Sequence, residues 1–274
     1  MLGSAVLRSF AGNPGFEVFA TARSSHVLRH FDRNTASRVL TGFDLVNEDD
    51  LTILFERTRP EVVIHCAGLV KQVHESNDPL RAIPVNALLP HRLARLCGIA
   101  GARLIHMSTD CVFSGKTGGY AEGDEPDALD LYGRSKLLGE VAGPHAVTLR
   151  TSIIGHELEG SRSLVNWFLA QTGDVRGFTR AIFSGLPTVE LARVIQAHVI
   201  PDPALQGLYH VSADPISKHD LLSLVARTYG KEVRIIPDDT LVIDRSLDSS
   251  RFRKATGYVP AAWPELVRRM QESH

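Results

Sequence analysis

The sequence is poor in the features that carry a chain out of the cytoplasm or onto a polyanion. Three cysteines occur in 274 residues, and Cys66, Cys97 and Cys111 form neither a CxxC pair nor a regular framework. That excludes a disulfide scaffold and fits a reducing, cytoplasmic setting. No apolar run approaches the roughly 18 residues that a membrane helix needs. No basic stretch followed by an apolar core opens the chain, so no secretory leader is expected. The formal net charge is -1, which leaves no electrostatic footprint for nucleic acid or an anionic membrane. Twelve histidines are present, yet none stands in an HExxH spacing, and "HELEG" (156–160) lacks its second histidine. No metal site is expected. Internal repeats and low-complexity segments are lacking as well.

What remains is a globular composition, 43% hydrophobic and 22% charged. Apolar runs and helical spacings alternate along it. A helix is read over 4–12 and a strand over "FEVFAT" (16–21). A helix follows over 51–58. "EVVIHCAG" (61–68) is continuously apolar and β-branched before it stops at Gly68, which is how a strand buried on both faces reads. The same alternation gives a helix over 78–99, a strand over 102–108, a polar loop from Phe113 to Asp130, a helix over 132–143 and a strand over 146–152. Strand–helix alternation of this kind predicts βαβ units and a doubly wound, Rossmann-like parallel sheet of the α/β class. Ligands bind such sheets at the carboxyl ends of the strands. Beyond about residue 155 the rhythm changes. Helices are read over 163–171, 188–199 and 217–230, strands over 207–213 and 232–237, and a last helix from Trp263. Two regions are expected: a dinucleotide-binding domain over 1–154 and a smaller, mainly substrate-binding lobe over 155–274 with segments returning to the sheet.

The chemistry concentrates in "YGRSK". Tyr132 and Lys136 stand four apart and share a helix face, with Ser135 beside them. A lysine ammonium near a phenol favours the phenolate, which would suit proton transfer near neutral pH. Upstream, "HMSTDCVFSG" sets the hydroxyls of Ser108 and Thr109 at the end of a buried strand, where an open α/β sheet takes its ligand.

Taken together, "STDCVFSG", "GGYAEGDEPDALDLYGRSKLLGE", "LRTSIIG", "SGLPTVELARVI", "GLYHVSA" and "DRSLDSSRFRKATGYVPAAWPE" give a pattern that covers nearly the whole chain. It resembles the extended short-chain dehydrogenase/reductases, and among them the dTDP-4-dehydrorhamnose reductase family of nucleotide-sugar ketoreductases. The resemblance implies a reductase of a 4-keto-6-deoxy sugar nucleotide in polysaccharide precursor synthesis. It implies NADP(H) in preference to NAD(H), because "ARSS" offers Arg23 and Ser24 after the second family strand where an acidic residue would suit NAD. Catalysis is expected from Thr109, Tyr132 and Lys136. Tyr132 would give the proton, Thr109 would fix the carbonyl oxygen, and Lys136 would hold the nicotinamide ribose. Cofactor contacts are expected from Gly3, Arg23, Ser24, Asp44, Leu45, Ala67, Gly68, Asn86, Tyr132 and Lys136. Substrate contacts are expected from Ser108, Asp110, Cys111, Ile153 and Arg180.

Family members open with a strand and a GxxGxxG turn, of which Gly3 matches the last glycine. The expectation is that about ten residues of the natural protein lie upstream of Met1. The family's "STDYVF" tyrosine is Cys111 here, and its aromatic after "RTS" is Ile153, so a sugar other than dehydrorhamnose is open. Three further readings of the residues stay open: an epimerase or dehydratase of the same superfamily, a subunit that binds NADP without turnover, and a homodimer. His65 and His106 are read as satisfied core or near-site groups, Trp167 and Phe168 as core, and Cys111 as a small filler.

Overall fold

The computed structural model describes residues 1–71 and 74–273. Its centre is a four-stranded, all-parallel sheet. In chain order the strands are introduced as β1 (Ala20–Ala22), β2 (Val39–Thr41), β3 (Val62–His65), β4 (Arg103–Thr109), β5 (Ala146–Thr151) and β6 (Gly207–His210). The spatial order is β6–β5–β4–β3, while β1 and β2 pair in parallel as a separate two-stranded sheet. β6 comes from the C-terminal half and lies against β5, with Tyr209 opposite Leu149 and His210 opposite Arg150. β4 and β5 are buried along nearly their whole length. Their unbroken apolar reading follows from cover on both faces.

The helices that supply this cover are α1 (Leu2–Ala11), α2 (Glu48–Thr58), α3 (Leu89–Ala100), α4 (Leu131–Leu138), α5 (Leu164–Ala170), α6 (Thr188–Val194), α7 (Lys218–Tyr229) and α8 (Trp263–Glu272). On one face Leu2, Val6 and Phe10 of α1 pack with Ile105, Leu149, Val194 and Leu266. On the other, Leu51, Leu89, Leu93 and Cys97 meet Leu104 and Ala146. Each fully buried Leu or Ile contributes about 1.5–3 kcal/mol of transfer free energy.

Local chemistry sets the helix ends. Asn47 caps α2 by accepting from Asp49 N at 2.8 Å. Ser217 caps α7 by accepting from Asp220 N at 3.0 Å, as its position in the sequence predicts. The strand expected over 16–21 is confined to Ala20–Ala22, the residues that pair with Val39–Thr41, and a turn closed by Phe16 N donating to Asn13 O precedes it. The helix expected over 78–99 contains a π-helical stretch, Ile83–Leu88, and that expected over 188–199 passes into a second one, Ile195–Val199. Small strands at Val175–Phe178, Ala181–Phe183, Ile235–Asp238 and Ile243–Asp244 build two further sheets in the C-terminal half.

Candidate active site

The carboxyl ends of β3 and β4 face the first turn of α4. Asp130 caps α4 by accepting from Gly133 N at 2.8 Å, and it also takes Lys71 Nζ at 2.7 Å. Gly133 lets the helix come close. A Cβ there would stand 2.3 Å from Cys111 O and 2.6 Å from the Ala128 side chain. α4 stops at Leu138 rather than continuing to 143. Gly139 lies against the π stretch, where a Cβ would meet Asn86 O at 2.0 Å. Two glycines therefore seat the helix that carries Tyr132 and Lys136.

Thr109 ends β4 and caps the 3-10 turn Asp110–Val112, its hydroxyl accepting from Cys111 N at 3.1 Å. Tyr132 stands beside Thr109, Asp110, Cys111 and Asp130. Burial drives its phenol above the ordinary tyrosine value. Cys111, Asp110 and Asp130 push the same way, and a hydrogen bond with Thr109 opposes them. The phenol lowered by Lys136 that the i, i+4 spacing predicts is therefore corrected: the groups nearest the hydroxyl are acids and a thiol. Lys136 is itself buried and donates from Nζ to Met107 O at 2.7 Å. Burial pulls its ammonium down to about 8, against the opposing effect of Glu140 and Cys66. Such a lysine has a nearby carbonyl in place of a ribose hydroxyl.

The other expected positions divide. Asp110 is buried, and desolvation raises its carboxyl above the usual range. Burial pushes the Cys111 thiol up to about 12, so it is a filler and no thiolate. Ser108 points to the strand face opposite Thr109 and donates to Glu140 at 2.6 Å. There Glu140 takes Arg150 in two hydrogen bonds of 2.7 Å. Ser108 thus belongs to a buried ion-pair network and not beside Thr109. Asn86 is buried and clamps the loop after β3, accepting from Leu69 N at 2.9 Å and donating to Leu69 O at 3.2 Å. Gly68 lies against the same amide, and Ala67 is exposed beside it. Ile153 pairs with Leu186. Arg180 is exposed, and its guanidinium has no partner among the described residues. Gly3 lies in the first turn of α1, near Cys66. Asp44 accepts from Val46 N at 3.0 Å to close its own turn, while Leu45 packs on the core.

Arg23 and Ser24 line a cavity of about 570 Å³ beyond β1, together with His26, Leu158 and Glu159. A guanidinium, an imidazole and a hydroxyl around an open cavity at a strand's carboxyl end fit the phosphorylated ribose of a dinucleotide, with the Glu159 carboxylate on the same wall. The loop residues Ala67 and Gly68 follow β3, and the Thr109–Tyr132 pair lies at the end of β4.

The family model described as the RmlD substrate binding domain matches residues 1–273. The chain belongs to this dTDP-4-dehydrorhamnose reductase-like family. It is therefore a member of an oxidoreductase family. A dTDP-4-dehydrorhamnose reductase of Mycobacterium tuberculosis is 43% identical over 101 residues, 34% of this chain and 33% of that protein. Methionine adenosyltransferase 2 subunit beta of Danio rerio is 30% identical over 199 residues, 68% of this chain and 61% of that one. A dTDP-4-dehydrorhamnose reductase of Bacillus anthracis, solved with NADP, superposes with a TM-score of 0.76 at 21% identity, covering 94% of this chain and 99% of that chain. At that identity the likeness speaks to the fold. Among the described residues no helix is long and apolar enough to cross a membrane.

The family's C-terminal "DRSLDSS" finds a structural reason here. Ser246 accepts from Gly119 N at 2.8 Å, Tyr120 N donates to Ser246 O at 2.9 Å, and Arg245 Nε donates to Phe113 O at 2.7 Å. The segment closes over the polar loop that precedes Tyr132. The motif was visible in sequence, but its partner lay more than a hundred residues away. His65 and His106 depart from the expectation of satisfied groups. Their Nδ1 atoms lie 2.9 Å apart, and both Nε2 atoms are buried without a partner among the described residues. Phe168 is core, whereas Trp167 is 39% exposed.

Proposed function

We propose that this chain is an NADP(H)-dependent reductase of a keto sugar nucleotide in polysaccharide precursor synthesis. One observation carries the reading: α4 seats Tyr132 beside Thr109 at the carboxyl end of β4, with Lys136 one turn further on. Residues 1–154 would hold the cofactor and 155–274 mainly the sugar nucleotide. When bound, the nicotinamide supplies a hydride to the carbonyl carbon. Thr109 holds the carbonyl oxygen in place. Tyr132, whose raised phenol keeps its proton at neutral pH, gives that proton to the developing alkoxide. Lys136 swings from Met107 O toward the ribose, or fixes the β4–α4 spacing from where it lies. Arg23 and Ser24 meet the 2′-phosphate, and Arg180 is free to meet a substrate diphosphate. Cys111 and Ile153 give a sugar pocket with two fewer aromatic walls than the family pattern, which favours a sugar other than dehydrorhamnose.

The likeness to the methionine adenosyltransferase beta subunit supports a second reading, in which the chain binds NADP(H) without turnover. One experiment separates them. Cofactor binding is read by thermal shift, and NADPH oxidation is followed with a panel of 4-keto sugar nucleotides, dTDP-4-dehydrorhamnose included. A shift with turnover supports the reductase. A shift with no turnover across the panel supports the binding subunit.

A further inference from the structure

The cavity beyond β1 is lined on one side by a carboxylate from a distant segment. The 3-10 turn Ser25–His30 presents three nitrogen groups to one oxygen of Glu159: Arg29 Nη2 at 2.9 Å, His30 Nε2 at 2.6 Å and His26 Nε2 at 3.4 Å. Arg29 Nε also donates to His30 Nε2 at 3.2 Å. Nitrogen groups converging on a single oxygen suit a phosphoryl group, which offers three oxygens and a second charge. Glu159 is held in this position by its own loop. Glu157 N donates to Asn166 Oδ1 at 3.1 Å, Arg162 N donates to Glu157 Oε2 at 2.7 Å, and Asn166 Nδ2 donates to Gly160 O at 3.3 Å. Gly160 has φ +89°, a left-handed conformation that turns the loop back. Arg23 and Ser24 stand on the same cavity wall.

We propose that Glu159 is an internal stand-in for the 2′-phosphate of the cofactor, a latch on His26, Arg29 and His30 that the phosphate displaces. This deepens the reductase reading and rests on it for the identity of the ligand. The latch joins the loop after Ile154 to the turn after β1, so cofactor binding frees a segment that leads into α5. It also discriminates. A ligand with a 2′-phosphate takes over all three nitrogen groups, whereas one with a bare ribose gains nothing from displacing Glu159.

Titration calorimetry on the full chain tests this with adenosine 2′,5′-bisphosphate, adenosine 5′-monophosphate and inorganic phosphate. Glu159→Gln keeps the loop's shape and removes the competing charge. The bisphosphate is expected to bind it roughly tenfold more tightly than wild type, with adenosine 5′-monophosphate unchanged, and Arg29→Gln to weaken the bisphosphate alone. On the wild-type chain, the ring Cε1–H signals of His26 and His30 should shift with the bisphosphate and stay still with the monophosphate. Equal changes for both nucleotides, silent histidine signals, or inorganic phosphate binding as tightly as the bisphosphate would each overturn the latch. None of these readouts needs turnover, so a chain without reductase activity can still pass or fail.

Discussion

Acid should destabilise this protein through two residues in its core. His65 and His106 face each other from β3 and β4, their rings stacked with centroids 5.1 Å apart. One Nδ1–H must donate to the other bare Nδ1, and burial disfavours the charged form of both rings, so the pair is neutral and of opposite tautomers. Burial, and then the nearby Lys136 ammonium, pull His65 down to about 3. The same two causes, with His65 and His91 in addition, carry His106 well below its ordinary value. The unfolded chain takes up protons on both rings below about pH 6.5, and the folded chain does not. Unfolding therefore binds protons, and stability falls as pH drops from about 6.5 toward 3. For His65 alone the loss between pH 7.5 and pH 5 is RT ln(1 + 10^1.5), about 2 kcal/mol, and His106 adds to it. The comparison is the double variant His65→Leu, His106→Leu, which removes two orphaned Nε2 atoms at similar volume and should fold at pH 7.5. Urea unfolding followed by circular dichroism at pH 7.5, 6.5, 5.5 and 5.0 gives each stability. Wild type should lose at least ~2 kcal/mol more than the double variant over that range. Parallel curves would refute the buried neutral pair.

Other perturbations have equally definite signs. Gly133→Ala forces a Cβ onto Cys111 O and Ala128. It should cost ~1–3 kcal/mol and lower kcat by roughly tenfold or more as Tyr132 moves, measured by thermal unfolding and NADPH oxidation. Lys136, held near 8 in the fold against 10.5 as a free group, releases its proton earlier when folded. Stability should therefore rise in wild type relative to Lys136→Met by ~1 kcal/mol between pH 7.5 and 9, read from urea midpoints. Glu190 is buried on α6 and accepts from Arg193, Arg269 and Tyr258. Glu190→Gln should cost ~2–4 kcal/mol, a fall in Tm of roughly 5–10 °C by calorimetry.

The β3, β4 and β5 strands and the helices α2 and α7 were legible because each is one unbroken run with its own cap or periodic face. The strands of two to four residues in the C-terminal half were not. A stretch such as Ile243–Asp244 is too short to show alternation, and only its partner Ala181–Ile182 makes it a strand. The π stretch at Ile83–Leu88 was read as plain helix, since its apolar spacing is helical and its close contact with Gly139 is tertiary. Tyr132 and Lys136 were singled out by their spacing together with the strand end that carries Thr109 and the family resemblance. Their electrostatics were not, because a helix face gives the distance to Lys136 but not the acids that arrive from the strand end. Ser108 was misplaced for a related reason: adjacent hydroxyls on a strand point to opposite faces, and Glu140 takes the one that points away. The histidine pair depends on strand register, and the hold of Glu159 on His26, Arg29 and His30 depends on tertiary contact alone.

The central claim is that Tyr132 gives the proton to a reducing carbonyl. Tyr132→Phe removes one oxygen from a site that otherwise keeps its shape. With the best keto sugar nucleotide of the panel, the variant should bind NADPH within about twofold of wild type by titration and lose at least about a hundredfold in kcat. Turnover within a few-fold of wild type, with binding intact, would contradict the account.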